Sequence, residues 1–150
     1  MSPHQLFPFL NALAAISWLV LVLAPPRSAW PRRVVAASAI VLAMSYAALI
    51  GAFITRGNGS FQSLAGVAQL FEHPGLLLAG WVHYLVFDLL VGLWAREEAV
   101  RIGLSRWWLL PCQFLTFMFG PIGWLTFLAV RQVQLHGGTA RMAATSIASR

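Results

Sequence analysis

The sequence is poor in charge and contains no lysine. Only 9% of its 150 residues are charged, whereas about a quarter are charged in an average soluble domain, and 59% are hydrophobic. A chain this short cannot hide so much apolar surface from water, which excludes an ordinary soluble domain. All ten basic residues are arginine, and they lie in the gaps between apolar stretches. That distribution is typical of a membrane protein, and we do not expect a nucleic acid as a partner.

Cysteines and cofactor motifs are equally scarce. The single cysteine, Cys112, excludes an intramolecular disulfide and a Cys-x-x-Cys site, and we interpret it as a small buried apolar residue. The sequence has no phosphate-binding loop, no zinc-protease signature and no Ser-His-Asp order. Glu72, His73, His83 and Asp88 match no strong metal-ligand spacing. We therefore expect neither a metal nor another cofactor.

Four apolar runs dominate what the sequence does contain. Each has about 20 residues, which is enough to cross a hydrocarbon core of roughly 30 Å as a helix. The runs are residues 6–24, 34–54, 76–95 and 107–130. They predict an all-α membrane protein, a four-transmembrane-helix bundle, formed by a single domain of residues 1–136 and followed by a flexible polar tail, 137–150. The first run lacks the basic start of a signal peptide, so we expect it to be retained.

Two local features modify this arrangement. Between the second and third runs, residues 61–71 carry apolar side chains at helical spacing, which predicts a short interfacial helix, with a plain loop as the alternative. Within the fourth run, Gly120 and Pro121 predict a kink. A neighbouring helix or a polar side chain must then satisfy the carbonyl that proline leaves free.

The arginine distribution predicts the orientation. The connections at 25–33 and 96–106 hold three arginines each, whereas the connection between the second and third runs holds only Arg56. Positively charged short loops face the cytoplasm, so we expect these two connections to be cytoplasmic and both termini to lie on the other side of a bacterial inner membrane. The tail arginines weaken the assignment of the C-terminus; these are Arg131, Arg141 and Arg150.

Asp88 is the polar residue that a membrane makes most costly. It is the only acidic residue inside the four runs, and insertion scales assign a central aspartate a cost of roughly 2.5–3.5 kcal/mol. Protonation, water or hydrogen-bond donors must offset that cost. The donors that we consider are Tyr46, Tyr84, Gln113 and Thr116.

His83 is the only histidine inside the runs, five residues before Asp88. At about 100° per residue, Trp81, Tyr84 and Asp88 share one stripe of the helix, while His83 lies about 140° away from Asp88. A site that uses both ionisable residues therefore requires this helix to be buried over a wide arc. The alternative is that both residues hydrogen-bond across the bundle and fix its register.

These residues resemble a known family. The stretch HPGLLLAGWVHYLVFDLLVGLWAREEAVRIG, followed by FMFGPIGW, is similar to the abscisic-acid-deficient-four-like family of small integral membrane proteins of bacteria, algae and plants. The resemblance covers roughly residues 72–126. Its most specific parts are the Trp-x-His-x4-Asp pattern of Trp81, His83 and Asp88 and the Phe-Gly-Pro-x-Gly pattern that begins at Phe119. Plant members are associated with forming neoxanthin from violaxanthin, an epoxide opening, whereas bacterial members largely lack an assigned role.

The resemblance implies an isomerase-type membrane protein acting on a carotenoid or another long isoprenoid lipid. In this hypothesis Asp88 is the acid and His83 the base. The substrate would pack against Trp81, Tyr84, Phe119, Gly120 and Pro121. Two alternatives stay open: a non-enzymatic carotenoid-binding, lipid-binding or assembly protein, and a haem or metal protein with His83 as ligand. Membrane lipids are the expected partners, and a homo-oligomer stays open.

Overall fold

The computed structural model describes residues 2–25 and 27–148, with side chains through residue 136, and all regular structure in that part is helical. The all-α prediction is thereby confirmed. The helices are α1 (Pro3–Leu23), α2 (Trp30–Phe53), α3 (Leu64–Glu72), α4 (Pro74–Arg101), α5 (Arg106–Phe119) and α6 (Pro121–Ala148), and a 3-10 turn at Ile54–Arg56 follows α2.

Three helices of the described chain are long and apolar enough to cross a membrane. They are α1, α2 with its 3-10 turn, and α4, in the ranges Pro3–Leu23, Trp30–Arg56 and Pro74–Arg101. Helix α4 lies at the centre, because each of the other five helices packs against it. The core between α1, α2 and α4 consists of close-packed apolar side chains such as Trp18, Leu42, Val82 and Leu89.

Proline and serine explain where several helices begin. Prolines lie in the first turns of α1, α2, α4 and α6, where the missing N–H has no intrahelical acceptor to lose. Helix α3 begins after Ser63, whose hydroxyl accepts from the Gly66 N–H at 3.0 Å. Helix α3 also confirms the short helix that we predicted between the second and third runs.

The fourth apolar run differs from the prediction of one kinked span over 107–130. The structure divides it at Gly120 into α5 and α6, and these helices fold back on each other as a hairpin. Leu109 and Cys112 of α5 pack against Phe127 and Val130 of α6. With 14 residues, α5 is only about 21 Å long, which is shorter than the hydrocarbon core. A span at 107–130 is therefore not formed, and a four-span bundle is not confirmed.

The hairpin also moves the C-terminal segment to the end of the molecule at which α4 finishes. Arg131 of α6 forms a 2.5 Å ion pair with Glu98 of α4. Our prediction that both termini lie opposite the connections at 25–33 and 96–106 is therefore wrong for the C-terminal segment, because the fourth run turns back instead of continuing across. Helix α6 continues to Ala148, and the flexibility of residues 137–150 stays a prediction.

This end of the described molecule collects nearly all of the arginines. Helix α2 is antiparallel to α4, so Arg32 near its beginning pairs with Glu97 near the end of α4 at 3.2 Å. The opposite end carries Arg56 alone among the described arginine side chains. The arginines of the crowded end, which we call the arginine-rich end, are Arg27, Arg32, Arg33, Arg96, Arg101, Arg106 and Arg131.

Candidate functional site

The tip of the α5–α6 hairpin lies against the middle of α4. Gly120 forms the tip with φ 47° and ψ −97°, a backbone conformation that residues with a side chain rarely adopt. A Cβ built on Gly120 would lie 2.8 Å from Asp88 Oδ1, so the absent side chain also makes room for the carboxyl group. The hairpin turn and Asp88 therefore form one unit, which we call the tip site.

Tyr84 satisfies the carbonyl that Pro121 leaves free. In a continuous helix the N–H of residue 121 would bond to the carbonyl of residue 117, and proline has no N–H. The Tyr84 hydroxyl donates to the Phe117 carbonyl at 3.1 Å instead. This hydrogen bond confirms our expectation that a neighbouring group compensates for Pro121, and it fixes the tip to α4.

Asp88 is buried at the tip with an unused acceptor. Its side chain is 8% exposed, and Oδ2 has no hydrogen-bond partner among the described residues. Two of the donors that we considered are placed elsewhere, because Thr116 donates to the Cys112 carbonyl at 2.9 Å and Tyr46 packs against His83. Gln113 is also buried, and its Nε2 has no partner in the described part of the chain. These three side chains therefore form no described hydrogen bond to Asp88, and the fourth candidate donor, Tyr84, donates to the Phe117 carbonyl.

Helix α6 supplies an electrostatic reason for Asp88 to lie at the tip. The first intrahelical bond of α6 runs from the Trp124 N–H to the Gly120 carbonyl, so the N–H groups of residues 122 and 123 have no intrahelical acceptor. The N-terminus of a helix carries partial positive charge, which favours a nearby carboxylate. This field offsets part of the cost of placing Asp88 within an apolar span.

Trp81 joins the tip site from the outer side. Its ring lies 5.5 Å from the Tyr84 ring, and its Nε1 donates to Asn11 Oδ1 of α1 at 2.9 Å. Phe119, next to the turn, is 55% exposed. The structure thus brings six of the predicted residues into one region, at the boundary between the bundle and its surroundings: Trp81, Tyr84, Asp88, Phe119, Gly120 and Pro121.

His83 faces a different region from Asp88. Its ring packs against Tyr46 of α2 at 5.4 Å and against Phe87 at 4.6 Å. It lines a groove of about 280 Å³ between α2, α3 and α4, which we call the α3 groove and whose other walls include Phe61, Phe71 and Gly80. The angular separation predicted from the helical period is therefore present, and Asp88 and His83 do not meet in one site.

The described residues bring no three histidine, cysteine, aspartate or glutamate side chains together as a metal-ion site. Near the end of α4, Glu98 accepts hydrogen bonds from Arg101 and Arg131 at 2.5–2.6 Å. These contacts are ion pairs between side chains.

A family model described as ABA DEFICIENT 4-like matches residues 5–127. The chain belongs to the ABA DEFICIENT 4-like family. The family resemblance is thus confirmed, and the match extends to α1 and α2 beyond the stretch that carried it in the sequence. No curated protein and no solved structure matches this chain.

In this ABA DEFICIENT 4-like protein, the matched region contains the complete tip site and the α3 groove. Sequence reasoning did not identify Phe117, whose contribution is a main-chain carbonyl. Its position four residues before Pro121 was a signal that could have found it. Asn11 carried no comparable signal, because its contact with Trp81 depends on how α1 packs against α4.

Proposed function

We propose that this protein is a membrane-embedded isomerase that acts on a carotenoid or another long isoprenoid lipid at the tip site. The observation that supports it most directly is the buried Asp88 carboxyl group, whose Oδ2 has no partner among the described residues and which lies beside an interrupted helix. Ionisable residues within apolar spans commonly mark functional sites. The family membership fits a membrane protein and leaves the substrate open.

The surroundings of the tip site suit an apolar substrate. Trp81 is 43% exposed and Phe119 is 55% exposed, so aromatic surface extends outward from the tip. In a membrane this surface faces lipid, and a long isoprenoid chain dissolved in the bilayer would reach it without passing through water. Aromatic side chains offer such a chain large contact areas.

The proposed chemistry is proton transfer without a change of oxidation state. Protonated Asp88 gives its proton to an oxygen of the substrate, which assists the opening of a carbon–oxygen bond. The resulting carboxylate then removes a proton from a substrate carbon, so the product has the formula of the substrate and Asp88 regains its proton. Assigning both steps to Asp88 replaces the base role of His83, because His83 lies in the α3 groove.

The test is conversion of pigment by Asp88→Asn, with His83→Gln as the matched control on the same helix. Both variants are produced in a bacterial host that makes carotenoids, and the extracted pigments are separated by chromatography and weighed by mass spectrometry. We expect a product of unchanged mass with the wild type and His83→Gln and none with Asp88→Asn. Conversion at the wild-type rate by folded Asp88→Asn would refute the acid role.

The α3 groove favours a second candidate, a non-enzymatic carotenoid-binding or lipid-binding protein. The groove is lined almost entirely by apolar and aromatic side chains, and its one imidazole belongs to His83. Pigment that co-purifies unchanged with the wild type and with Asp88→Asn, and is lost with Tyr46→Ala, would support binding in this groove. Pigment that is converted, or that is lost with Asp88→Asn, would support the tip site.

The arginine-rich end supports a proposed orientation in a bacterial inner membrane. Seven described arginines lie there, against Arg56 at the other end. By the positive-inside rule, the connections at 25–33 and 96–106 are then cytoplasmic, together with the end of the hairpin. In the sequence, the tail arginines disagreed with a C-terminus on the side opposite these connections. The hairpin places Arg131 at the same end as the connections, so its charge agrees with the proposed orientation.

A further inference from the structure

A small pocket at the arginine-rich end lies apart from the tip site. It is bounded by the end of α1, the last turns of α4 and the first turns of α5, and it measures about 30 Å³. A buried water needs roughly 10–15 Å³, so the pocket has room for more than one water. Arg96 lies eight residues beyond Asp88 on α4, which separates the two by about 12 Å along the helix.

Each polar side chain that the structure describes in the lining of this pocket offers N–H donors. They are Arg96, Arg106 and Gln113, and the rest of the lining is apolar. Arg96 is only 4% exposed and Gln113 only 2%. The Gln113 Nε2 donor has no partner in the described part of the chain. We call this arrangement the donor pocket.

The two guanidinium groups use few of their donors inside the protein. Arg96 donates to the Pro25 carbonyl at 2.5 Å, and Arg106 donates to the Val22 carbonyl. Each guanidinium has five N–H donors, and these are its only hydrogen bonds within the described residues. Most of the donors that border the pocket therefore remain available to a ligand.

Among the described residues, no carboxylate lines the donor pocket. Outside the pocket lining, Glu97 pairs with Arg32 and also attracts Arg96, while Glu98 pairs with Arg101 and Arg131. Burial of Arg96 removes the water that would stabilise its charge, and repulsion by Arg106 opposes the attraction by Glu97. A bound anion would remove this cost.

We propose that the donor pocket binds a phosphate group, supplied by an anionic phospholipid headgroup or by free inorganic phosphate. Guanidinium groups bind phosphate through paired, charge-assisted hydrogen bonds, and the Gln113 amide adds a neutral donor. The pocket lies at the end of the bundle where the arginines collect, which is where headgroups meet the protein. The site is independent of Asp88 and of the proposed isomerase.

The test compares lipid binding by Arg106→Gln and Gln113→Leu with that of Arg33→Gln. Arg33 is exposed at the same end and does not line the pocket, so its variant removes one charge without touching the site. Native mass spectrometry measures phosphatidylglycerol bound to each protein in detergent, with phosphatidylcholine as the neutral lipid. A parallel arm follows thermal unfolding in detergent as inorganic phosphate is added.

We expect Arg106→Gln to bind phosphatidylglycerol about tenfold more weakly, because one charge-assisted hydrogen bond is lost, and Arg33→Gln to bind like the wild type. Gln113→Leu also weakens binding, whereas a role of the arginines confined to capping α1 would not involve Gln113. If inorganic phosphate raises the unfolding temperature of the wild type but not of Arg106→Gln, and phosphatidylglycerol is not bound selectively, free phosphate is the source. The proposal is overturned if the wild type neither binds phosphatidylglycerol in preference to phosphatidylcholine nor is stabilised by inorganic phosphate. It is also overturned if Arg33→Gln weakens phosphatidylglycerol binding as much as Arg106→Gln does. If Arg106→Gln does not fold, the comparison of phosphatidylglycerol binding by Gln113→Leu and Arg33→Gln decides whether the proposal stands.

Discussion

Substitution of Gly120 by alanine tests whether the hairpin turn and Asp88 depend on each other. Two costs add at this position. The positive φ of Gly120 is unfavourable for alanine, and such conformations cost of order 1–3 kcal/mol. The new Cβ would also lie 2.8 Å from Asp88 Oδ1, which forces a buried side chain to move. We expect Gly120→Ala to lower the free energy of unfolding by about 2–4 kcal/mol.

Two other glycines separate these costs. Gly103 has φ 67° and nothing within 4 Å of a built Cβ, so Gly103→Ala reports backbone strain alone. Gly51 lies in α2 without a positive φ and also has open space, so Gly51→Ala should be neutral or stabilising by up to about 1 kcal/mol. We therefore expect Gly120→Ala to be the most destabilising, followed by Gly103→Ala and then Gly51→Ala.

The assay is equilibrium unfolding in mixed micelles, in which sodium dodecyl sulfate is raised against dodecyl maltoside and helical circular dichroism is followed. A double variant, Gly120→Ala with Asp88→Ala, removes the obstructing carboxyl group, so the part of the cost that comes from the contact should disappear. If Gly120→Ala is no more destabilising than Gly103→Ala, or if the double variant shows no coupling, the close approach of turn and carboxyl is refuted.

The remaining predictions concern the contact to α4 and the direction of the hairpin. Tyr84→Phe removes the donor to the Phe117 carbonyl and should cost about 0.6–1.7 kcal/mol in the same assay, and an unchanged midpoint would contradict that role. In a Cys112→Ser background, single cysteines at the exposed positions Ser105, Gln134 and Asn58 report topology by labelling with an impermeant maleimide from either side of the membrane. Positions 105 and 134 should label from one side and position 58 from the other, whereas a fourth span would place 105 and 134 on opposite sides.

Hydropathy could predict the first three long helices because each is one continuous apolar run. It could not predict the hairpin, since the sum of hydropathies over residues 107–130 is the same whether the chain continues or reverses. Gly120 and Pro121 showed that regular helix is interrupted there. The direction after the interruption depends on the φ of Gly120 and on the room that Asp88 and Tyr84 leave for the turn, and both are tertiary properties.

The part of the candidate site that could be predicted from the sequence is the relative direction of residues on the single helix α4. The separation of His83 from Asp88 is a property of α4 alone, so about 100° per residue was enough to anticipate it. The partners of each residue lie on other helices and were not predictable. Asp88 meets Gly120, and Gln113 lies in the donor pocket with Arg96 instead of bonding to Asp88.

The interrupted helix has unsatisfied main-chain groups, and Asp88 is a costly ionisable group within an apolar span. Each reduces the free-energy cost of the other. A hairpin that ends inside an apolar layer exposes main-chain groups that lipid cannot satisfy, so the tip must be covered by protein. Tyr84 binds one such carbonyl at the end of α5, and the beginning of α6 presents partial positive charge beside Asp88. An aspartate at this point of α4 is therefore less costly than it would be against a continuous helix. The same geometry leaves Oδ2 without a partner among the described residues, so the arrangement that stabilises Asp88 also keeps one acceptor available.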